Sequence, residues 1–209
     1  MKKILFIFTF FLFAIGFAQN DEAYVDGLAS QKMAELEMQG HSEYFLRKHY
    51  CEGNIQMFVM PDGTHCASKS TYYSIEVFWR ENEEVMRFQK FDNCGSFSPL
   101  PFGISKNMKK ILKDKAALAE EEVKPFKNDT ANPNPYGNMS VKDCHVNYSF
   151  VFSGQAFKKN FREIDLTDSS KSKNLNADHN NALLLIKLEK EISNVFTHFE
   201  TNGRFFREN

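Results

Sequence analysis

The chain lacks an excess of either charge. Its 26 Lys and Arg face 27 Asp and Glu, a formal net charge of −1 over 209 residues. No basic patch arises that would point to nucleic acid or to an anionic membrane as partner. Apolar runs long enough to cross a bilayer, which needs roughly 20 such residues, are also missing. The histidines His41, His49, His65, His145, His179 and His198 contain no H-x₃₋₅-H pair and none lies at zinc spacing from a cysteine, so no metal ligands are assigned. G-x-S-x-G, P-loop and dinucleotide glycine patterns are absent, and no cofactor is expected. Cysteine is limited to four residues, the first at Cys51, which excludes an N-terminal lipid on cysteine.

The N-terminus reads "MKKILFIFTFFLFAIGFAQND". Lys2 and Lys3 are followed by a short apolar run from Ile4 to Ile15. Gly16 and Ala18 then supply the small residues of a cleavage site. This pattern predicts a signal peptide over 1–18 and a mature single domain over 19–209, exported to the periplasm or the extracellular space. Removing Lys2 and Lys3 leaves a net charge of −3. Six of the 22 phenylalanines leave with the signal, and enough apolar residues remain for one core.

Export places Cys51, Cys66, Cys94 and Cys144 where disulfides persist. Four cysteines allow three connectivities. "IQMFVM" (55–60), "TYYSIEVFWR" (71–80) and "EEVMRFQKF" (83–91) read as strands of a meander. Placing Val77 opposite Met86 and Ile75 opposite Phe88 keeps the apolar sets on one face and leaves Glu81-Asn82 as a two-residue turn. Cys66 then lies just before one strand and Cys94 just after its partner, at the same sheet edge. The expected bridges are Cys66–Cys94 and, by elimination, Cys51–Cys144.

Elsewhere the periodicity predicts a helix over 21–39 ended by Gly40, and a second short helix over 41–50 capped by Ser42. A helix begins after Ser105 and ends before Pro125. "DCHVNYSFVF" (143–152) is a strand, turned at Ser153-Gly154 so that Phe157 and Phe161 fall opposite Phe150 and Val146. A bulge or strand end is expected near Glu163. A last helix with a broad apolar stripe starts near Asp178. The Asn/Pro-rich stretch 127–140 is a flexible loop, and 168–181 a polar linker. The fold class is α+β: an antiparallel sheet of about five strands, two hairpins plus one strand, with helices over one face and two disulfides.

The Cys94-Gly95-Ser96 tripeptide resembles the start of the papain-like Cys-Gly-(Ser/Ala)-Cys-aromatic pattern, with Phe97 where the second cysteine would stand. "DNCGSF" and "CHVNYSF" also resemble elements of the secreted NlpC-like cell-wall peptidases, although the order of the elements differs. That resemblance implies Cys94 as nucleophile, His145 as base and Asn147 beside it on one strand face. A nucleophilic cysteine must be reduced, and an exported chain with four cysteines argues for bridges instead. Glu120-Glu121-Glu122 reads as a solvated helix end. Asp129-Thr130-Ala131 resembles the Asp-(Ser/Thr)-apolar acceptor of bacterial O-glycosylation. Phe58, Tyr72 and Phe78 form a candidate binding patch if only the opposite sheet face is covered, and core if a second layer lies over them. The expected function is a non-enzymatic exported module that binds a protein, a glycan or an apolar ligand. The alternative is a small cysteine-dependent cell-wall hydrolase.

Overall fold

A computed structural model describes residues 21–128, 143–168 and 173–208. The expected signal peptide over 1–18, the Asp129-Thr130-Ala131 motif and most of the stretch 127–140 lie outside the described residues. In chain order the elements are α1 (Asp21–Met38), β1 (Glu43–Cys51), β2 (Met57–Val59), β3 (His65–Ala67), β4 (Tyr73–Arg80) and β5 (Val85–Asp92). They continue with β6 (Gly95–Ser96), β7 (Leu100–Gly103), α2 (Lys106–Lys113), α3 (Lys115–Glu120), β8 (Cys144–Phe152) and β9 (Gln155–Arg162). After a 3₁₀ turn at Glu163–Leu166 come α4 (Ala177–Ala182) and α5 (Leu184–Thr201).

Among the described residues the main sheet is antiparallel and has seven strands rather than about five. Its order is β6-β5-β4-β1-β8-β9, and β7 shares the outer edge of β5 with β6. The stretch 41–50, expected to be a helix, is central strand β1. Both of its faces are buried: Tyr44, Leu46 and Lys48 point to one side, Phe45 and Arg47 to the other. A strand covered on both sides loses the apolar–polar alternation that betrays a strand in sequence. Strand 57–59 does not join the main sheet. Among the described residues it pairs only with β3, in a separate hairpin.

Helices cover both faces, not one. Val25, Ala29 and Leu36 of α1 pack on Tyr44, Ile75, Val77, Trp79 and Phe91. On the opposite face Leu185, Leu188 and Ile192 of α5, with Met108 and Ile111 of α2, cover Phe45, Phe78, Phe88 and Phe150. Two cores also explain the β4–β5 register. Phe78 pairs with Phe88 and Ile75 with Phe91, so each aromatic reaches its own layer. The connection is therefore longer than Glu81-Asn82, and the Asn82 side chain accepts from the backbone N–H groups of Glu84 and Val85 at 2.9 and 3.0 Å.

The β8–β9 hairpin carries Phe150 opposite Phe157 and Val146 opposite Phe161, and it turns at Ser153-Gly154 with φ of 48° and 86°. Ser105 Oγ accepts from Met108 N at 3.0 Å and starts α2. The last helix is broken at Leu183, and the Glu121 carboxylate accepts from Leu184 N at 2.8 Å and from Leu185 N. Glu121 thus caps α5 from another segment, where a carboxylate favours the helix N-terminus. Both cysteine pairs are disulfides, Cys51 with Cys144 and Cys66 with Cys94.

Candidate functional site

The α5 face of the sheet changes character along the strands. One rung, Phe150–Phe45–Phe78–Phe88, is wholly aromatic. The next is Tyr148–Arg47–Glu76–Lys90, and the one after it is Val146–His49–Ser74–Asp92. Two successive polar rungs inside a sheet face need partners, because unpaired buried charge costs several kcal/mol. They find them in one another and in α5. Arg47 Nε and Nη2 donate to Glu189 at 2.8 and 2.7 Å, and Nη1 donates to Glu76 at 3.1 Å. Ser74 Oγ donates to the other Glu76 oxygen at 2.5 Å, and Tyr148 donates to Glu189 at 2.6 Å. Burial opposes the charge on Arg47, but the Glu76 and Glu189 carboxylates outweigh it and hold the guanidinium well above its ordinary value. Burial, with Glu189 second, pushes the Tyr148 phenol well up, so it stays a neutral donor.

This polar floor lies beneath an open groove. One wall is the β2–β3 hairpin. The other is the end of α5 and the C-terminal tail, which runs antiparallel to the segment after β6 through a bridge between Phe97 and Arg207. Two cavities of about 650 and 350 Å³ share Phe58, Tyr72, Lys90, Glu200 and Phe205 and form one continuous depression. Asp92, fully buried, ties the walls to the floor. It accepts both ends of the Arg207 fork at 2.8 and 2.6 Å, the Tyr72 hydroxyl at 3.0 Å and the Cys94 backbone N–H at 2.8 Å. Burial and then the Asp92 charge raise the Tyr72 phenol far above its usual range. The Arg207 guanidinium lies 4.8 Å from the Phe58 ring centroid and 4.3 Å from that of Phe97. Lys90 Nζ stands over Phe97 and Phe205 at 5.4 and 5.2 Å. His49 meets Glu163 at 3.0 Å. Among the described residues, Lys90 and Glu200 are the groove charges with no ion pair.

Of the three aromatics singled out from sequence, Phe58 and Tyr72 meet here, with ring centroids 5.5 Å apart. Phe78 does not join them; it is 0% exposed beneath α5. Cys94 is bonded to Cys66 and carries no thiol. His145 and Asn147 sit on the α1 face of β8, the side opposite the groove. The β5 end that leads into Cys94 is separated from β8 by β4 and β1, a span of about 14 Å at the usual strand spacing. Sequence reading missed Arg47, Glu76, Glu189 and Arg207. Arg47 lies in a stretch that reads as helix, and Glu76 alternates with Ile75 and Val77, a pattern that gives its face of the strand but not what covers it. Arg207 lies beyond the last helix, where only an aromatic–basic tail, "RFFREN", hints at a docked segment. No family model matches the chain, and neither does any curated protein or solved structure.

Proposed function

We propose that the chain is an exported, non-enzymatic binding module, and that it takes an extended polypeptide segment in the groove between the hairpin and the C-terminal tail. The observation that carries this reading is the pairing of an aromatic-walled groove with exposed apolar residues at its rim. Val59 and Phe206, which line the larger cavity, are 69% and 63% exposed, and Ile55 and Met57, close by in sequence to Val59, are exposed as well. Exposed apolar residues beside an open groove are a feature of protein contacts rather than of an enclosed small-molecule pocket. The backbone adds a second reason. Gln56 and Met60 bond to β3 through Ser68 N and Thr64 O, so Met57 and Val59 turn their own N–H and C=O groups to the free edge of β2. An added strand satisfies such groups, while alternate side chains read the neighbouring pockets. Lys90 and Glu200 offer one charge of each sign to a ligand that carries both.

The polar floor argues for binding rather than turnover. Arg47, Glu76, Glu189, Asp92 and Arg207 are already paired with one another, and Cys94 is oxidised. Disulfides and the leader-like N-terminus support an extracytoplasmic setting.

The test is selection of peptides from a random display library on the immobilised, disulfide-intact protein. Enriched peptides are expected to contain an apolar–aromatic core. Phe58→Ala and Val59→Asp should each weaken them at least about tenfold while leaving the far-ultraviolet dichroism unchanged. Failure to enrich, or enrichment of peptides that bind both variants as well as wild type, refutes the reading.

A further inference from the structure

We propose that the end of the β1–β8 pair is a binding site for a first-row divalent cation, held by His145, Asp143 and Glu52. It lies on the α1 side of the sheet and is independent of the groove reading.

The three donors are gathered by a covalent staple. Cys51 and Cys144 stand opposite each other in register and are bonded. Glu52 follows the one, Asp143 precedes the other, and His145 comes next along β8. Glu52 N donates to the Asp143 carbonyl at 3.1 Å, which closes the two chain ends on each other. The His145 ring is stacked on Tyr50, with centroids 4.9 Å apart and planes within 8°. Its Nε2 lies 3.3 Å from Asp143 Oδ2 and 3.8 Å from Glu52 Oε1, and one donor atom from each residue falls within 4.8 Å of the other two.

These separations suit a metal better than a hydrogen bond. Among the described residues, His145 Nε2 is the one buried side-chain nitrogen or oxygen without a hydrogen-bond partner. A ring nitrogen shut away from water needs some acceptor for its lone pair or its proton. A tetrahedral ion with ligand bonds of about 2.1 Å holds its donors about 3.4 Å apart, close to both observed distances. Two carboxylates and a neutral imidazole bring two negative charges to a dication. The imidazole favours zinc and its first-row neighbours over calcium or magnesium, which prefer all-oxygen sets. Asp143 and Glu52 are partly exposed, so water can complete the coordination.

The competing account is a plain imidazolium–carboxylate pair, and calorimetry separates the two. Chelator-stripped, disulfide-intact protein is titrated with zinc chloride. One ion per chain is expected to bind, and excess calcium should not displace it. Glu52→Gln and Asp143→Asn should each weaken zinc binding by more than about tenfold, since even outer-shell partners of a metal site are worth that much. His145→Asn should abolish binding. Glu52 is exposed and stabilises no core, so its variant reports on the metal even if His145→Asn folds poorly. Absence of a one-to-one isotherm up to millimolar zinc overturns the proposal. So does zinc binding that is unchanged in Glu52→Gln and Asp143→Asn, or that calcium displaces.

Discussion

Arg47 is the residue on which the polar floor depends. It sits in a central strand with Glu76 across one strand gap and Glu189 above it, and all three side chains are largely withdrawn from water. Replacing it with Met leaves two buried carboxylates facing each other. Loss of one partner from a buried ion network costs about 3–5 kcal/mol, so Arg47→Met should lower the urea midpoint sharply. Tyr148→Phe removes only one hydrogen bond to a charged acceptor and should cost about 1.5–3 kcal/mol on the same assay. Glu43 makes a different case. Lys115 donates to it and, with help from Ser153, holds its carboxyl below the ordinary 4.5. A depressed acid contributes stability that is complete above its unfolded value and is lost as the pH falls through the folded one. Wild type should therefore lose its advantage over Glu43→Gln below about pH 4.5, as read from urea midpoints at a series of pH values.

The hairpin β2–β3 is an element that cannot stand alone. Two strands of three residues bury little, and isolated hairpins are marginal in water. It is attached by Cys66–Cys94, by the Phe58–Tyr72 contact, and by the backbone N–H groups of Lys69 and Ser70, which donate to Asp21 of α1 at 2.8 and 2.9 Å. In the chain-entropy account, a bridge over a separation of 28 residues is worth about 3.6 kcal/mol and one over 93 about 4.7 kcal/mol. Removing Cys66 and Cys94 together should speed hydrogen exchange across 57–67 while β1, β4 and β8 stay protected. Removing Cys51 and Cys144 should lower global stability more. Equal exchange in both variants would show that the hairpin needs no staple. The same elements show what could be read in advance. The β8–β9 hairpin was legible because its alternation and its Ser153-Gly154 turn agree. Strand β1 was not, because a doubly buried strand that carries Arg47 and Lys48 matches neither template. Elimination joined Cys51 to Cys144 without the cause, which is that β1 and β8 are neighbours in register. Glu121 reads as part of a solvated helix end, and no local pattern reveals that it caps a helix that begins 63 residues later.

At the scale of the whole molecule, the C-terminal tail closes the structure onto the edge of the sheet. Arg207 reaches across from the tail to Asp92, and the backbone of Ser98 and Glu208 bonds with Phe206 and Ser96. A charge as deeply buried as Asp92 is tolerated because Arg207, Tyr72 and a backbone N–H all face it. Arg207→Met alone should therefore destabilise by about 3–5 kcal/mol, since it strands the carboxylate. It should also free the tail, which removes the Phe205 wall of the groove. Asp92→Asn alone strands the guanidinium less severely, because the amide oxygen still accepts from it and its plane keeps the Phe58 and Phe97 rings. Changing both removes the need for compensation, so the double variant should recover much of the loss, with a coupling energy well above the few tenths found between independent sites. Chemical denaturation of the four proteins gives that coupling. Tail exchange at 204–208, measured alongside, separates the two roles. If the double variant regains stability while its tail still exchanges fast, the ion pair serves mainly to seat the groove wall. Simple additivity of the two single effects would instead mean that Asp92 is held by Tyr72 and the Cys94 backbone, and that the tail rests on the sheet through its aromatic rings and its backbone bonds to Ser96 and Ser98.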